Sequence, residues 1–105
     1  MLEIHVNFGD GEEASRVSRA AVERRLAASA NIHGSIRSFY RWKDAIEEAN
    51  ETAVVFKTSE DSLDALMDFI AGAHTYEVPG IVVHKPLTAN APYLDWIRHE
   101  TRRPA

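Results

Sequence analysis

Ser35-Ile36-Arg37-Ser38-Phe39-Tyr40-Arg41-Trp42-Lys43-Asp44-Ala45-Ile46 is the stretch on which the fold turns. An extended run rich in aromatic and branched side chains leads from Ser35 into the polar turn Lys43-Asp44-Ala45. A second extended run leads out of it, from Ile46 to Lys57. The pattern predicts a long β-hairpin. Its tip half carries Arg41, Lys43, Glu47, Glu48 and Glu51, whereas its base reads Ala53-Val54-Val55-Phe56. A hairpin that outgrows its domain's own core needs another surface over its far half, or that half frays. The hairpin therefore points to oligomerisation.

The elements before the hairpin follow from the two periods of regular structure. Leu2, Ile4, Val6 and Phe8 alternate with Glu3, His5 and Asn7, which predicts a strand with one buried face. Gly9-Asp10-Gly11 breaks it. Asp10 followed by Glu13 has the spacing of a capping box, so a helix is expected from there to about Ala28. Its apolar face, with Ala14, Val17 and Ala21, is wide and made of small residues. Asn31-Ile32-His33-Gly34 is a candidate break or bulge.

After the hairpin, Thr58-Ser59-Glu60-Asp61 places a hydroxyl and then acids where a helix begins. Leu63, Leu66, Met67 and Ile70 keep helical spacing, and Gly72 is a natural stop. Ile81-Val82-Val83 reads as a central strand, with His84 on it and Pro86 at its end. Asn90 and Pro92 open a last helix that puts Tyr93, Trp96 and Ile97 on one side and Arg98, His99, Arg102 and Arg103 at its carboxyl end. The order is β-α-β-β-α-β with a C-terminal helix, an α+β sandwich of the ferredoxin-like kind. Residues 1–105 form a single domain.

Composition narrows the function. A net charge of -4 argues against nucleic acid, which calls for a basic face. No cysteine is present, so disulfides, thiolate metal sites and cysteine nucleophiles are all excluded. No apolar run reaches the roughly 18 residues of a membrane span, and the first residues lack a signal-peptide pattern, so a cytoplasmic chain with no membrane partner is expected. There is no Gly-rich phosphate loop with a lysine and no Gly-x-Ser-x-Gly elbow, and the spacing of Ser, His and Asp marks no triad. An enzyme is not expected.

The polar chemistry concentrates in His74-Thr75-Tyr76-Glu77-Val78-Pro79-Gly80, an imidazole, a phenol and a carboxylate at the entrance of a strand. Together with Leu26-Ala27-Ala28-Ser29, Ser38-Phe39-Tyr40-Arg41-Trp42, Phe56-Lys57-Thr58 and Tyr93-Leu94-Asp95-Trp96, this segment resembles the CutA divalent-cation tolerance family in order and spacing, over about residues 4 to 98. The resemblance implies a ferredoxin-like protomer in a homotrimer whose long hairpins pair across the subunit boundaries. It also implies a role in tolerance to divalent metals, copper above all, and a shape similar to the nitrogen-regulatory signalling trimers. The chain departs from the family pattern at Ser29, where many members carry cysteine, and at Val6, Ala73, Thr75 and Gly80. Of that family's metal-site residues, only His74 carries over directly.

Copper and zinc accept imidazole and carboxylate ligands, while Cu(I) favours sulfur. Without cysteine, the expectation is a Cu(II) or Zn(II) site from His74, Glu77 and a group of a neighbouring subunit. The bland alternative makes His74 a helix cap or a hydrogen-bonding group at the subunit seam. Tyr40, Trp42, Tyr76, Tyr93 and Trp96 are either interface packing or the walls of an intersubunit ligand cleft. In the second case Lys57 is a polar contact for a small anion or metabolite. His5 and His33 read as surface histidines. Glu47, Glu48 and Glu51 read as a solvated edge that deters aggregation. The function expected is a divalent-cation tolerance trimer that binds metal at its clefts. A metabolite-sensing or partner-binding trimer is the alternative, and a small ferredoxin-like isomerase or monooxygenase the third reading.

Overall fold

The computed structural model describes residues 1–102; Arg103 lies outside the described residues. Four strands form one antiparallel sheet in the order β2-β3-β1-β4: β1 (Leu2–Phe8), β2 (Ser29–Trp42), β3 (Ala45–Thr58) and β4 (Ile81–His84). Helices α1 (Gly11–Glu23) and α2 (Leu63–Ala73) pack against one face, and α3 (Ala91–Glu100) completes the chain. This is the ferredoxin-like arrangement that the element order predicts. The even residues of β1 turn inward, with Ile4 and Phe8 fully buried beside Phe56, Leu66 and Ile70. Ala14, Val17 and Ala21 bring α1 onto this layer, their small side chains allowing close approach.

The hairpin is longer than its sequence pattern indicates. β2 starts at Ser29, and its pairing to β3 runs from Ser29↔Lys57 to Trp42↔Ala45, with a register shift between His33 and Ser35 where a break or bulge was expected. Lys43 and Asp44 both hold positive φ, 49° and 67°, so a two-residue turn closes the hairpin. Fourteen-residue strands project well past the core and stretch the molecule to 45 Å in its longest dimension.

Helix α1 stops at Glu23 rather than near Ala28, because Arg25 takes a left-handed conformation, with φ 59°. Leu26 and Ala27 then donate their N–H groups to the Ala21 carbonyl, and Ala28 bonds Lys57 O at the sheet. The capping box is half formed. Asp10 Oδ1 accepts from Glu13 N at 2.7 Å, but the Glu13 carboxylate turns elsewhere. The hydroxyl of Thr58 donates to Leu26 O instead of capping α2, which is preceded by a 3-10 turn over Glu60–Ser62. Strand β4 is an edge strand, not a central one, since it pairs with β1 alone. Val82, Val83 and His84 are exposed in consequence.

Candidate functional site

The site grows from the carboxyl end of α2. His74 follows the last helical turn, its N–H bonded to Ile70 O. Its ring slides under the sheet and stacks on Phe8 at 4.6 Å between centroids. Nδ1 accepts the Tyr76 N–H at 3.1 Å, so the proton sits on Nε2, 2.8 Å from the Asn7 carbonyl oxygen that accepts it. Glu13 Oε1 is 3.8 Å from Nδ1, beyond hydrogen-bond reach. His74 is thus a buried, fully bonded imidazole that ties the loop to β1. A metal ion would engage it only by displacing one of those two bonds.

Glu13 is the residue that sequence reasoning assigned to the helix cap alone. Its carboxylate accepts from Thr75 N at 3.0 Å and from Thr75 Oγ1 at 2.9 Å, fixing the loop onto α1. The signal lay in its place at the third helical position, but nothing local shows that its partner is 62 residues away. Glu51 is a second case. By its sequence it reads as one of the solvated acids of the hairpin, yet it is buried, and its Oε2 accepts the Tyr76 hydroxyl at 2.6 Å. Burial, first, and then the hydrogen bond and negative charge of Glu51 push the Tyr76 phenol far above its usual range.

The loop, the outer face of β1 and β4, and the tip half of the hairpin line an open cleft of about 750 Å³. Tyr40, Trp42, Tyr76 and Glu77 of the predicted set line it, joined by His5 and His84. Glu77 is exposed at its edge. The other predicted residues lie apart. Lys57 lines a separate depression with Glu3 and His33, and its ammonium sits 5.7 Å over the Tyr93 ring. Tyr93 stacks on Trp96 along α3. Within one protomer the aromatic residues therefore divide into two groups. Among the described residues no set of three or more His, Asp or Glu side chains is arranged to hold a metal ion, and no helix is long and apolar enough to cross a membrane.

Comparison with known proteins agrees with the fold. The family described as "CutA1 divalent ion tolerance protein" matches residues 2–100. Protein CutA of Homo sapiens is 41% identical over 88 residues, which is 84% of this chain and 49% of that protein. The divalent-cation tolerance protein CutA of Pyrococcus horikoshii is 35% identical over 103 residues, 98% of this chain and 100% of that one. This chain spans about half the length of its mammalian relatives. The crystal structure of CutA1 from Pyrococcus horikoshii superposes with a TM-score of 0.93 at 34% identity, covering 98% of this chain and 100% of that one. The "periplasmic divalent cation tolerance protein CutA" of Archaeoglobus fulgidus gives 0.92 at 31% identity, covering 97% and 100%.

Proposed function

Because the chain belongs to the CutA1 divalent ion tolerance family, we propose that it serves divalent-metal tolerance as a homotrimer that binds the cation in clefts its subunits close between them. One observation carries this reading: the hairpin and outer sheet face are uncovered in the protomer and rich in apolar surface. Phe39 is 61% exposed and Ile46 62%, on a hairpin whose far half touches no core. Tyr40, Trp42 and Val82 continue the patch across the cleft. Apolar surface of this kind marks an interaction site, and a second copy supplies both the cover and the missing cleft wall.

In this reading the cation is Cu(II) or Zn(II), because the chain offers imidazole and carboxylate but no thiolate. Glu77 is exposed at the cleft edge, and His74 holds the loop that carries it. A Phe39→Glu, Ile46→Lys double variant tests the assembly. The unaltered chain is expected to sediment as a trimer and to take up Cu(II) or Zn(II), and the variant to dissociate and lose uptake. A monomeric unaltered chain, or a trimer that binds neither ion, would overturn the reading.

The cleft favours a second reading, a metabolite-sensing trimer. Its volume and its aromatic walls, Tyr40, Trp42 and Tyr76, are those of a small-molecule pocket. A small molecule retained by the purified trimer in native mass spectrometry, with no metal, would favour it.

A further inference from the structure

We propose that His5 and His84, with Glu3 behind them, form a transition-metal site on the outer face of the sheet that takes Zn(II) or Cu(II). The inference deepens the divalent-cation reading and rests on it, and it names different ligands from the loop after α2.

The antiparallel register creates the pair. Glu3 lies opposite His84 and His5 opposite Val82, so the two histidines are diagonal neighbours on adjacent strands. Both point to the outer face, since the alternate residues Ile4 and Val6 point to the core. Their ring centroids stand 4.1 Å apart with planes tilted by 42°. A metal bound at about 2.0–2.1 Å by each ring holds the two nitrogens roughly 3 Å apart.

Glu3 makes the pair more than two neighbouring rings. Its Oε1 lies 3.3 Å from His5 Nε2. A carboxylate that accepts from one imidazole nitrogen fixes the tautomer and raises the basicity of the other, the usual support behind a metal-binding histidine. Nδ1 of His5 is then the free donor. In the protomer the His5 and Glu3 side chains are 41% and 29% exposed, a partly desolvated position on the face where the trimer reading seats a second copy. His74 offers no such donor, because both its ring nitrogens are bonded. Among the described residues no third ligand is arranged beside the pair, so the remaining positions fall to water or to a group of the neighbouring subunit. Two imidazoles select Zn(II) and Cu(II) over Ca(II) or Mg(II), which demand oxygen.

The test titrates the metal-free full chain with ZnCl2 and CuSO4 by calorimetry, beside His5→Ala, His84→Ala and Glu3→Gln. Each histidine variant is expected to bind at least about tenfold more weakly, and Glu3→Gln about tenfold more weakly. Calcium chloride in excess is expected not to compete. Imidazole nitrogen resonances of the unaltered protein decide the case even where a variant fails to assemble: those of His5 and His84 move with Zn(II), and those of His74 stay. Binding that survives in both histidine variants, with His5 and His84 resonances unmoved, overturns this site and leaves the divalent-cation reading standing. No uptake by the unaltered chain overturns both.

Discussion

The Tyr76 hydroxyl donates to Glu51 Oε2 at 2.6 Å, latching the loop after α2 to the middle of β3. The bond joins the two parts of the molecule that build the cleft; Glu51 is buried and Tyr76 half-buried. The Tyr76 ring lies so close to the chain that a Cβ at Gly9 would stand 3.3 Å from its Cε1. A buried charged acceptor with one strong donor is costly to leave unpaired.

Tyr76→Phe is therefore expected to destabilise the fold by about 1–3 kcal/mol, read from urea unfolding. An unchanged midpoint would mean that Glu51 finds solvent or another donor when the phenol is lost.

The same latch has a pH signature. The Tyr76 phenol titrates higher in the folded protein than in the unfolded chain. Its contribution is present in full below the unfolded value of about 10 and is lost as pH rises beyond it. Stability of the unaltered protein is expected to fall more steeply above that pH than stability of Tyr76→Phe. Parallel curves for the two proteins would refute the latch as the cause.

Glu13 holds Thr75 through both its backbone and its hydroxyl. Glu13→Ala leaves that backbone N–H without its acceptor and is expected to cost about 1–3 kcal/mol. Amide hydrogen exchange at Thr75 is expected to accelerate sharply, with little change in β2.

The hairpin turn carries strain that a substitution relieves. Lys43 and Asp44 both adopt positive φ, which two-residue hairpin turns fill best with Asn-Gly. Lys43→Asn with Asp44→Gly is expected to stabilise by about 1 kcal/mol, seen as a higher thermal midpoint. A lower midpoint would show that these side chains have contacts beyond the turn.

The Ser29 hydroxyl is buried without a hydrogen-bond partner among the described residues. Ser29→Ala removes a desolvated polar atom and breaks no bond. It is expected to leave stability unchanged or to raise it by about 1 kcal/mol. A clear loss would reveal a partner for the hydroxyl in the assembled protein.

The chain carries much of its own architecture in plain view. The hairpin is legible because aromatic and branched residues flank a two-residue polar turn. Strand β1 and helix α2 are legible because their apolar residues keep periods of 2 and 3.6. The Asp10 cap is legible because its partner is three residues away. The His74-Thr75-Tyr76-Glu77 loop is visible as the concentration of polar chemistry before a strand. Each of these signals is local, set by how neighbouring residues share one face or one turn.

What the tertiary structure alone decided lies in the contacts between distant segments. The apolar run Ile81–Val83 reads as central because apolar residues are commonest where both faces are covered, yet the sheet order leaves it at an edge. Local pattern cannot show that Glu13 finds Thr75, that Glu51 finds Tyr76, or that His74 uses both ring nitrogens. Nor can it show that His5 meets His84 across a strand pair. Hydrophobic periodicity records which face of an element is buried. Strand order and register determine which side chains then meet, and those follow from the packing of the whole chain.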